Sequence, residues 1–428
     1  MNRRLKRISI FIGSFLNAKI GHRLPRKLLE FLQCKRFKLL QKHVLVLSPY
    51  YVNYADKPLD EYPFVNKALH VDNFNTINTV KLDKKGVFDT AIAAEKNRDF
   101  KPVYKGFSVG LSSGTSGSRG LFVTSEEEQA QWAGYIIGKL LPFRWGRHRV
   151  AFFLRANNNL YETANGFLLS FKFFDLVAGV DKNIAVLETF DPTILIAPVS
   201  VLLKIAQCEA RIHPVKVIAV AEVLDESSRQ ALEIKFQQKI HQVYQCTEGF
   251  LAVTCNQGNL HLNEDMVIIE KQWIDKKSGR FYPVVTDLKR KTQPIIRYLL
   301  DDILIEDKNR CVCGSSFTRL ASIEGRKDDI VRLADKHNNI VDVFPDFIRN
   351  TIVAASDEIC EYQVTQIKHD TLIISTLPFN RTLQNDITDA LNELFSRLEV
   401  LKPCYLFEQF EYEIGGQKRR RIKRLING

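Results

Sequence analysis

No stretch of this 428-residue chain is long and apolar enough to span a bilayer, and no internal repeat or low-complexity segment interrupts it. Cysteine is scarce. Eight thiols in a chain of this length make no disulfide framework, because such frameworks belong to short secreted chains. They read as reduced thiols in a cytoplasmic compartment, available as metal ligands. Positive charge is missing where a nucleic-acid groove would need it. The net charge is +12, yet residues 1–42 carry +11 and residues 418–424 carry +6, which leaves −5 for the body between them. A nucleic-acid-binding body would spread its cations over the fold. Basic ends instead suit peripheral contact with an anionic membrane or an acidic partner, and no nucleic acid.

Residues 1–20 have a basic start and then an apolar run, as a secretory signal does. The run over 8–16 is short, however, and Gly13 and Ser14 break it. The expectation is an amphipathic N-terminal helix, docked on the body or lying on a membrane.

What is present is core material: 45% of residues are hydrophobic and 10% aromatic, enough for more than one domain. Residues 25–48 alternate apolar and basic positions with helical period. From about residue 100, short apolar runs such as VAFFL, TILIAPV and VKVIAVA alternate with helical stretches, the pattern of an α/β fold with helices on both faces of a mixed sheet. After Gly325 the segments EYQVTQIK and TLIISTLP read as strands. DITDALNELFSRL reads as a helix with Ile387, Leu391, Leu394 and Leu398 on one face, and YLFEQFEYE as a last strand. The expected organisation is a basic amphipathic segment (1–45), a large mixed α/β domain (46–326) and a small α+β domain (327–428).

The strongest local signal is Ser112-Ser113-Gly114-Thr115-Ser116-Gly117-Ser118-Arg119-Gly120. Its glycines let the backbone turn so that N–H groups converge on an anion, and Arg119 offers a guanidinium fork for phosphate. This loop resembles the phosphate loop of the adenylate-forming superfamily, Ser-Ser-Gly-Thr-Thr-Gly-x-Pro-Lys-Gly. Further segments resemble that superfamily in order. Residues 189–206 are similar to its Pro-Thr-x-Leu segment. Residues 219–236 are similar to its Gly-Gly-Glu-x-Leu stretch, with Val220-Ala221 for the two glycines. Tyr244-Gln245-Cys246-Thr247-Glu248-Gly249 is similar to Tyr-Gly-x-Thr-Glu. Asp302 falls where relatives carry the ribose-binding Asp, although Leu300-Asp301 replaces Thr-Gly. Gly325-Arg326-Lys327-Asp328-Asp329 matches Gly-Arg-x-Asp-Asp, and Lys418 lies where relatives carry Gly-Lys-x-x-Arg.

The resemblance implies a large N-terminal domain of adenylate-forming type and a small mobile C-terminal domain. It also implies ATP-dependent activation of a small carboxylic acid, aromatic or short and hydrophobic, to an acyl-AMP, then transfer to a thiol of CoA or of an acyl carrier protein's phosphopantetheine. Ser112, Ser113, Gly114, Thr115, Ser116, Gly117, Arg119 and Gly120 would hold phosphate. Tyr244 would face adenine, Thr247 would contact phosphate, and Glu248 would hold Mg²⁺. Asp302 would bind ribose, Arg326 ribose or phosphate, and Asp328 would be the hinge. Lys418 would bridge the carboxylate and the α-phosphate, with its three basic neighbours as alternatives.

Cys255, His261, Cys311 and Cys313 have the composition of a tetrahedral structural zinc site, with unmetallated thiols as the other reading. Their layout beside the motifs resembles the phenylacetate–CoA ligase branch, and residues 152–165 resemble a little-characterised clade of it. Cys34, Cys208, Cys246, Cys360 and Cys404 read as apolar fillers. Two rival readings remain: an amide-forming ligase, and a degenerate, non-catalytic nucleotide-binding or membrane-associated scaffold.

Overall fold

The structure, a computed structural model, describes residues 3–97, 99, 101–112, 119–141, 147–154, 169–176, 179–356, 358–411 and 420–426. The chain divides into two compact units, residues 1–300 with 305–322, and residues 301–304 with 323–428.

The first unit is organised on a long mixed sheet. Its parallel half runs in the order Leu169–Asp175, His148–Leu154, Ile194–Pro198, Lys216–Val220, Ile240–Cys246. His148–Leu154, Ile194–Pro198 and Lys216–Val220 contain the apolar runs read from the sequence, continuous because both faces are covered, whereas Leu169–Asp175 and Ile240–Cys246 are more polar and were not singled out. Val217 and Ala219 face one side. There they join Ala151, Phe153 and Leu195 in a core filled by Leu187, Leu202 and Leu232 from the helices Ile184–Phe190, Val199–Gln207 and Glu226–Phe236. Lys216 faces the other side and its Nζ donates to the Leu140 carbonyl, 2.8 Å away, at the end of helix Glu126–Leu140. The sheet then turns antiparallel through Gly249–Thr254 and Leu260–Leu262. Within this unit it continues through 319–322, 305–307, Arg280–Asp287 and Val267–Asp275. Separately, Val103–Tyr104, Phe107–Leu111 and Leu121–Thr124 form a three-stranded antiparallel sheet.

The basic N-terminal segment is two helices, Arg3–Ile20 and Arg26–His43. Gln33 donates to the carbonyls of Glu264 and Val267 at 2.8 and 3.1 Å, and Arg36 donates to that of Asp265 at 2.7 Å. The first helix is docked on the body as well, with Lys19 donating to the Leu141 carbonyl at 2.9 Å.

In the second unit the expected strands Glu361–Lys368 and Thr371–Leu377 pair as an antiparallel hairpin, and Cys404–Gln409 lies parallel to Thr371–Leu377. The helix spans Arg381–Arg397, capped by Asn380, and buries Ile387, Leu391 and Leu394. A fourth strand, Ile422–Arg424, pairs parallel with Glu361–Lys368. The end of the basic tail is thus built into a sheet, and Ile422 is buried there. Val331–Ala334 and Ile340–Val343 form a further hairpin.

The reading of five cysteines as core fillers is corrected. Cys34, Cys208, Cys360 and Cys404 are exposed and Cys246 is half-buried.

Candidate active site

The glycine- and serine-rich loop rises from antiparallel strands that pair Leu111 with Leu121. Its neck is closed by two bonds: the Ser112 N–H donates to the Gly120 carbonyl at 2.8 Å, and the Gly120 N–H donates to Ser112 Oγ at 2.7 Å. A Cβ built on Gly120 would lie 3.3 Å from Ser112 Oγ, so the close approach favours glycine. Arg119 donates from Nε to the Ser112 carbonyl at 3.2 Å and forms a bidentate pair with Glu95. Both partners are substantially exposed (side chains 35% and 48%), so solvent and salt screen the pair. Ser113, Gly114, Thr115, Ser116 and Gly117 lie outside the described residues.

Tyr244 is buried on the last parallel strand, Ile240–Cys246. Cys246 pairs with Gly249, so Thr247 and Glu248 are the two residues of a tight turn where the sheet changes from parallel to antiparallel. In open α/β sheets ligands bind beyond the carboxyl ends of the strands, which is where this turn sits. The buried carboxyl of Asp287 lies beside it: a Cβ on Gly249 would be 3.5 Å from Asp287 Oδ2. Burial raises the pKa of Asp287. At the end of the neighbouring strand, Ala221 has φ of +65°, in the left-handed region, where relatives carry glycine. Glu222 then accepts from the Ser200 N–H (2.8 Å) and hydroxyl (2.9 Å), capping helix Val199–Gln207.

In the second unit two motifs 24 residues apart meet. Arg326 Nε is 3.4 Å from Asp302 Oδ1, and the Lys327 N–H donates to the Asp301 carbonyl at 2.7 Å. Burial, then the Asp328 and Asp302 carboxylates, push the Asp301 carboxyl up, against Lys327 and Arg326. Asp328 belongs to a short helical turn, Lys327–Asp329. Asp329 is the knot beneath it: Oδ2 accepts from the Arg326 N–H at 2.9 Å, and Oδ1 accepts from Arg420 Nε at 2.7 Å. A Cβ on Gly325 would stand 2.9 Å from Asp329 Oδ2, and its φ of +143° further restricts the position to glycine.

Cys255, His261, Cys311 and Cys313 converge, with all four ligand atoms within 4.8 Å of one another. Cys255 follows strand Gly249–Thr254, and His261 is the middle residue of Leu260–Leu262. The knuckle turns at Gly314 (φ +75°), whose N–H donates to the Cys311 carbonyl at 3.1 Å. Sulfur–sulfur separation for Cys255 and Cys311 is 3.8 Å, too long for a disulfide, and Cys313 Sγ is 3.6 Å from His261 Nε2. His261 Nδ1 faces the Phe317 carbonyl at 3.2 Å, the outer bond that leaves Nε2 for a metal. Burial pushes the Cys311 thiol up, but bonds from Cys313, His261 and Asn259 outweigh it and bring it down to about 6.

No family model matches the chain. The phenylacetate-coenzyme A ligase of Thermus thermophilus is 26% identical over 156 residues, and this match covers 33% of the chain and 34% of that relative's length. Among solved structures, 2-hydroxyisobutyryl-CoA ligase in the postadenylation state with 2-HIB-AMP superposes with a TM-score of 0.69 at 14% identity, covering 95% of this chain and 91% of its own. The chain has the fold of the adenylate-forming ligases. ATP-bound MatB from Rhodopseudomonas palustris (TM-score 0.53, 14% identity, 74% and 65% coverage) shares it. So does the amide bond synthetase McbA from Marinactinospora thermotolerans (TM-score 0.52, 12% identity, 72% and 65% coverage).

Several residues that shape this adenylate-forming fold around the motifs were not singled out from sequence. Gln293 accepts from the Val123 N–H (2.9 Å) and donates to the Leu121 carbonyl (3.0 Å), clamping the strand that follows the glycine- and serine-rich segment. Glu128 accepts from the N–H groups of Lys291 and Thr292 at 2.7 and 2.9 Å and closes the capping box with Ser125. Glu95 and Asp329 hold Arg119 and Arg420. Of the four basic residues weighed for the bridging cation, Arg420 binds Asp329, and Arg421 stacks on Tyr362 with 4.9 Å to the ring centroid. Lys418 lies outside the described residues.

Proposed function

We propose that the protein activates a small carboxylic acid with ATP to an acyl-AMP and passes the acyl group to a thiol, of CoA or of a carrier protein. The observation that carries this reading is the pairing of Asp302 with Arg326. An acceptor-only carboxylate suits two ribose hydroxyls, and a guanidinium beside it suits ribose or phosphate. Ser112 to Gly117, Arg119 and Gly120 would hold the leaving pyrophosphate, and Glu248 with phosphate oxygens would hold Mg²⁺. Tyr244 would face adenine and Thr247 the phosphate. Lys418 would offset repulsion between the attacking carboxylate and the α-phosphate, mainly in the transition state. Asp328 would be the pivot for the second half-reaction.

A structural Zn²⁺ is proposed for Cys255, His261, Cys311 and Cys313. A tetrahedron with Zn–S of about 2.3 Å and Zn–N of about 2.1 Å has edges of about 3.8 Å between sulfurs and about 3.6 Å between sulfur and nitrogen, and the cluster already shows both. Four protein ligands leave no position for water, so the ion would tie two chain segments together rather than act on substrate.

The test is carboxylate-dependent ATP–pyrophosphate exchange with pooled aromatic and aliphatic acids. Exchange with one pool, reduced roughly 100-fold or more in Lys418→Ala and in Asp302→Ala, is expected. Folded, ATP-binding protein that exchanges with no pool would sink the reading in favour of a non-catalytic nucleotide binder. CoA consumption against amide formation then separates the acceptors.

A further inference from the structure

The helix Arg3–Ile20 is docked by its polar and small face. Ser14 and Ala18 are its buried residues, and they meet Gly134 and Gly138 of helix Glu126–Leu140. The fit is tight: a Cβ on Gly134 would be 2.4 Å from the Phe11 carbonyl oxygen, and one on Gly138 would be 2.7 Å from Ala18 Cβ. The pairing of 14 with 134 and 18 with 138 makes the helices parallel. Ion pairs Lys6–Glu127 (2.6 Å) and Arg7–Glu126 (3.2 Å) hold one end, and Lys19 donates to the Leu141 carbonyl at 2.9 Å at the other.

A helix held this way must turn its large apolar residues outward. Leu5, Ile8, Ile12, Leu16 and Ile20 recur every three or four residues, on the side opposite Ser14 and Ala18, and their relative exposures run from 46% to 58%. Turning the helix over would press these large side chains against Gly134 and Gly138, where only the small Ser14 and Ala18 side chains are accommodated and a Cβ added to either glycine would clash. The next helix repeats the pattern: Leu28, Phe31 and Leu39 are exposed among exposed Lys27, Lys35 and Lys38. Isolated exposed leucines need no explanation, but a five-residue stripe on a rigidly anchored helix does.

We propose that this N-terminal face is a docking surface for an anionic lipid bilayer, with the Leu/Ile stripe entering the headgroup boundary and the flanking cations meeting lipid charge. Charge decides the occupant. Residues 1–42 hold twelve Lys/Arg and one acid, so a second copy presenting the same face would bring two strongly basic segments together. An anionic surface is complementary, and each basic residue near it adds attraction that salt screens. The contact is peripheral, since no helix among the described residues is long and apolar enough to cross a membrane.

The test is sedimentation of the full chain with vesicles of phosphatidylcholine alone and of phosphatidylcholine with phosphatidylserine. Two variants accompany it: Ile8→Ser/Ile12→Ser/Leu16→Ser, and Lys27→Glu/Lys35→Glu/Lys38→Glu. All the altered side chains are exposed, so both variants keep the fold, which circular dichroism and ATP–pyrophosphate exchange without vesicles would verify. Binding to the anionic vesicles, weakened by salt and reduced roughly tenfold or more in each variant, is the expected result. Wild type that stays in the supernatant, or a serine variant that binds as wild type does, overturns the proposal. So does a wild-type dimer that the serine variant converts to monomer, because the occupant is then a second copy. Exchange activity is read separately, so loss of this proposal leaves the acyl-adenylate reading standing, and the reverse.

Discussion

Replacing Cys311 by serine asks whether the four-ligand cluster holds zinc. Two edges of the cluster match a zinc tetrahedron and all four ligand atoms lie within 4.8 Å of one another, so little of the binding free energy is spent on reshaping the site. An ion that binds only the folded form, present at about 1,000 times its dissociation constant, stabilises by about 4 kcal/mol. For a large domain each kcal/mol moves the melting temperature by about 2 to 4 °C, so removing the ion should lower it by roughly 8 to 16 °C. The assay is zinc content by mass spectrometry, beside thermal unfolding of wild type and Cys311→Ser under reducing conditions, each with and without a chelator. Wild type should carry one zinc per chain and melt lower when stripped. The variant should carry little zinc and respond weakly to the chelator. Two results would refute the reasoning: metal far below one equivalent in wild type grown with zinc, or a variant that melts within a degree or two of it. The comparison of stripped proteins isolates the metal from any effect of the serine itself.

Ala221→Gly should stabilise the protein by about 1 kcal/mol, because an alanine in the left-handed region carries a Cβ–carbonyl clash that glycine lacks. Urea unfolding checks this, and a loss of stability would show that the strain at Ala221 is absent. Stability should also fall as pH drops from about 6.5 to 4. Burial brings His70 down to about 4, so in that window the unfolded chain binds a proton that the folded one does not. The loss from this one group is roughly 3 kcal/mol, and His70→Gln should flatten the slope by that amount. His241, lowered mainly by burial to about 3, pushes the same way, so part of the slope should survive the substitution. An unchanged slope in His70→Gln would place the titration elsewhere.

Strands His148–Leu154, Ile194–Pro198 and Lys216–Val220 were readable from sequence because each contains a short apolar run, buried throughout its length in Ile194–Pro198, whereas the more polar Leu169–Asp175 and Ile240–Cys246 were not. The C-terminal hairpin and its helix were readable because their burial alternates with the periods of two and 3.6 that strands and helices impose. Strand Ile422–Arg424 was not, since Ile422 is its only apolar residue and its partner is nearly sixty residues away. The cysteine fillers were misread for a related reason. Burial is a strong tendency for free cysteine, but a tendency of composition cannot see that Cys34 falls on the outer face of its helix or that Cys208 falls at a helix end. The N-terminal helix was recognised as amphipathic, yet its orientation depends on Gly134 and Gly138, more than a hundred residues on, and nothing local encodes that.

Motifs told which residues carry charge for the chemistry, whereas packing tells which of those charges are already engaged. The basic run at 418–421 illustrates the difference. Sequence offered four interchangeable cations. Arg420 is bound by the buried Asp329, whose carboxyl also takes the Arg326 N–H, so freeing it would strand a carboxylate beneath the very turn that carries Asp328. Arg421 packs its guanidinium on Tyr362 within the core hairpin of the second unit, and its carbonyl accepts the Val364 N–H at 2.8 Å. Neither can be lent to a reaction without loosening the unit that would deliver it. In the proposed reaction the bridging cation would therefore be Lys418 or Arg419, and of the two a compact ammonium is the better fit between two oxyanions than a planar fork.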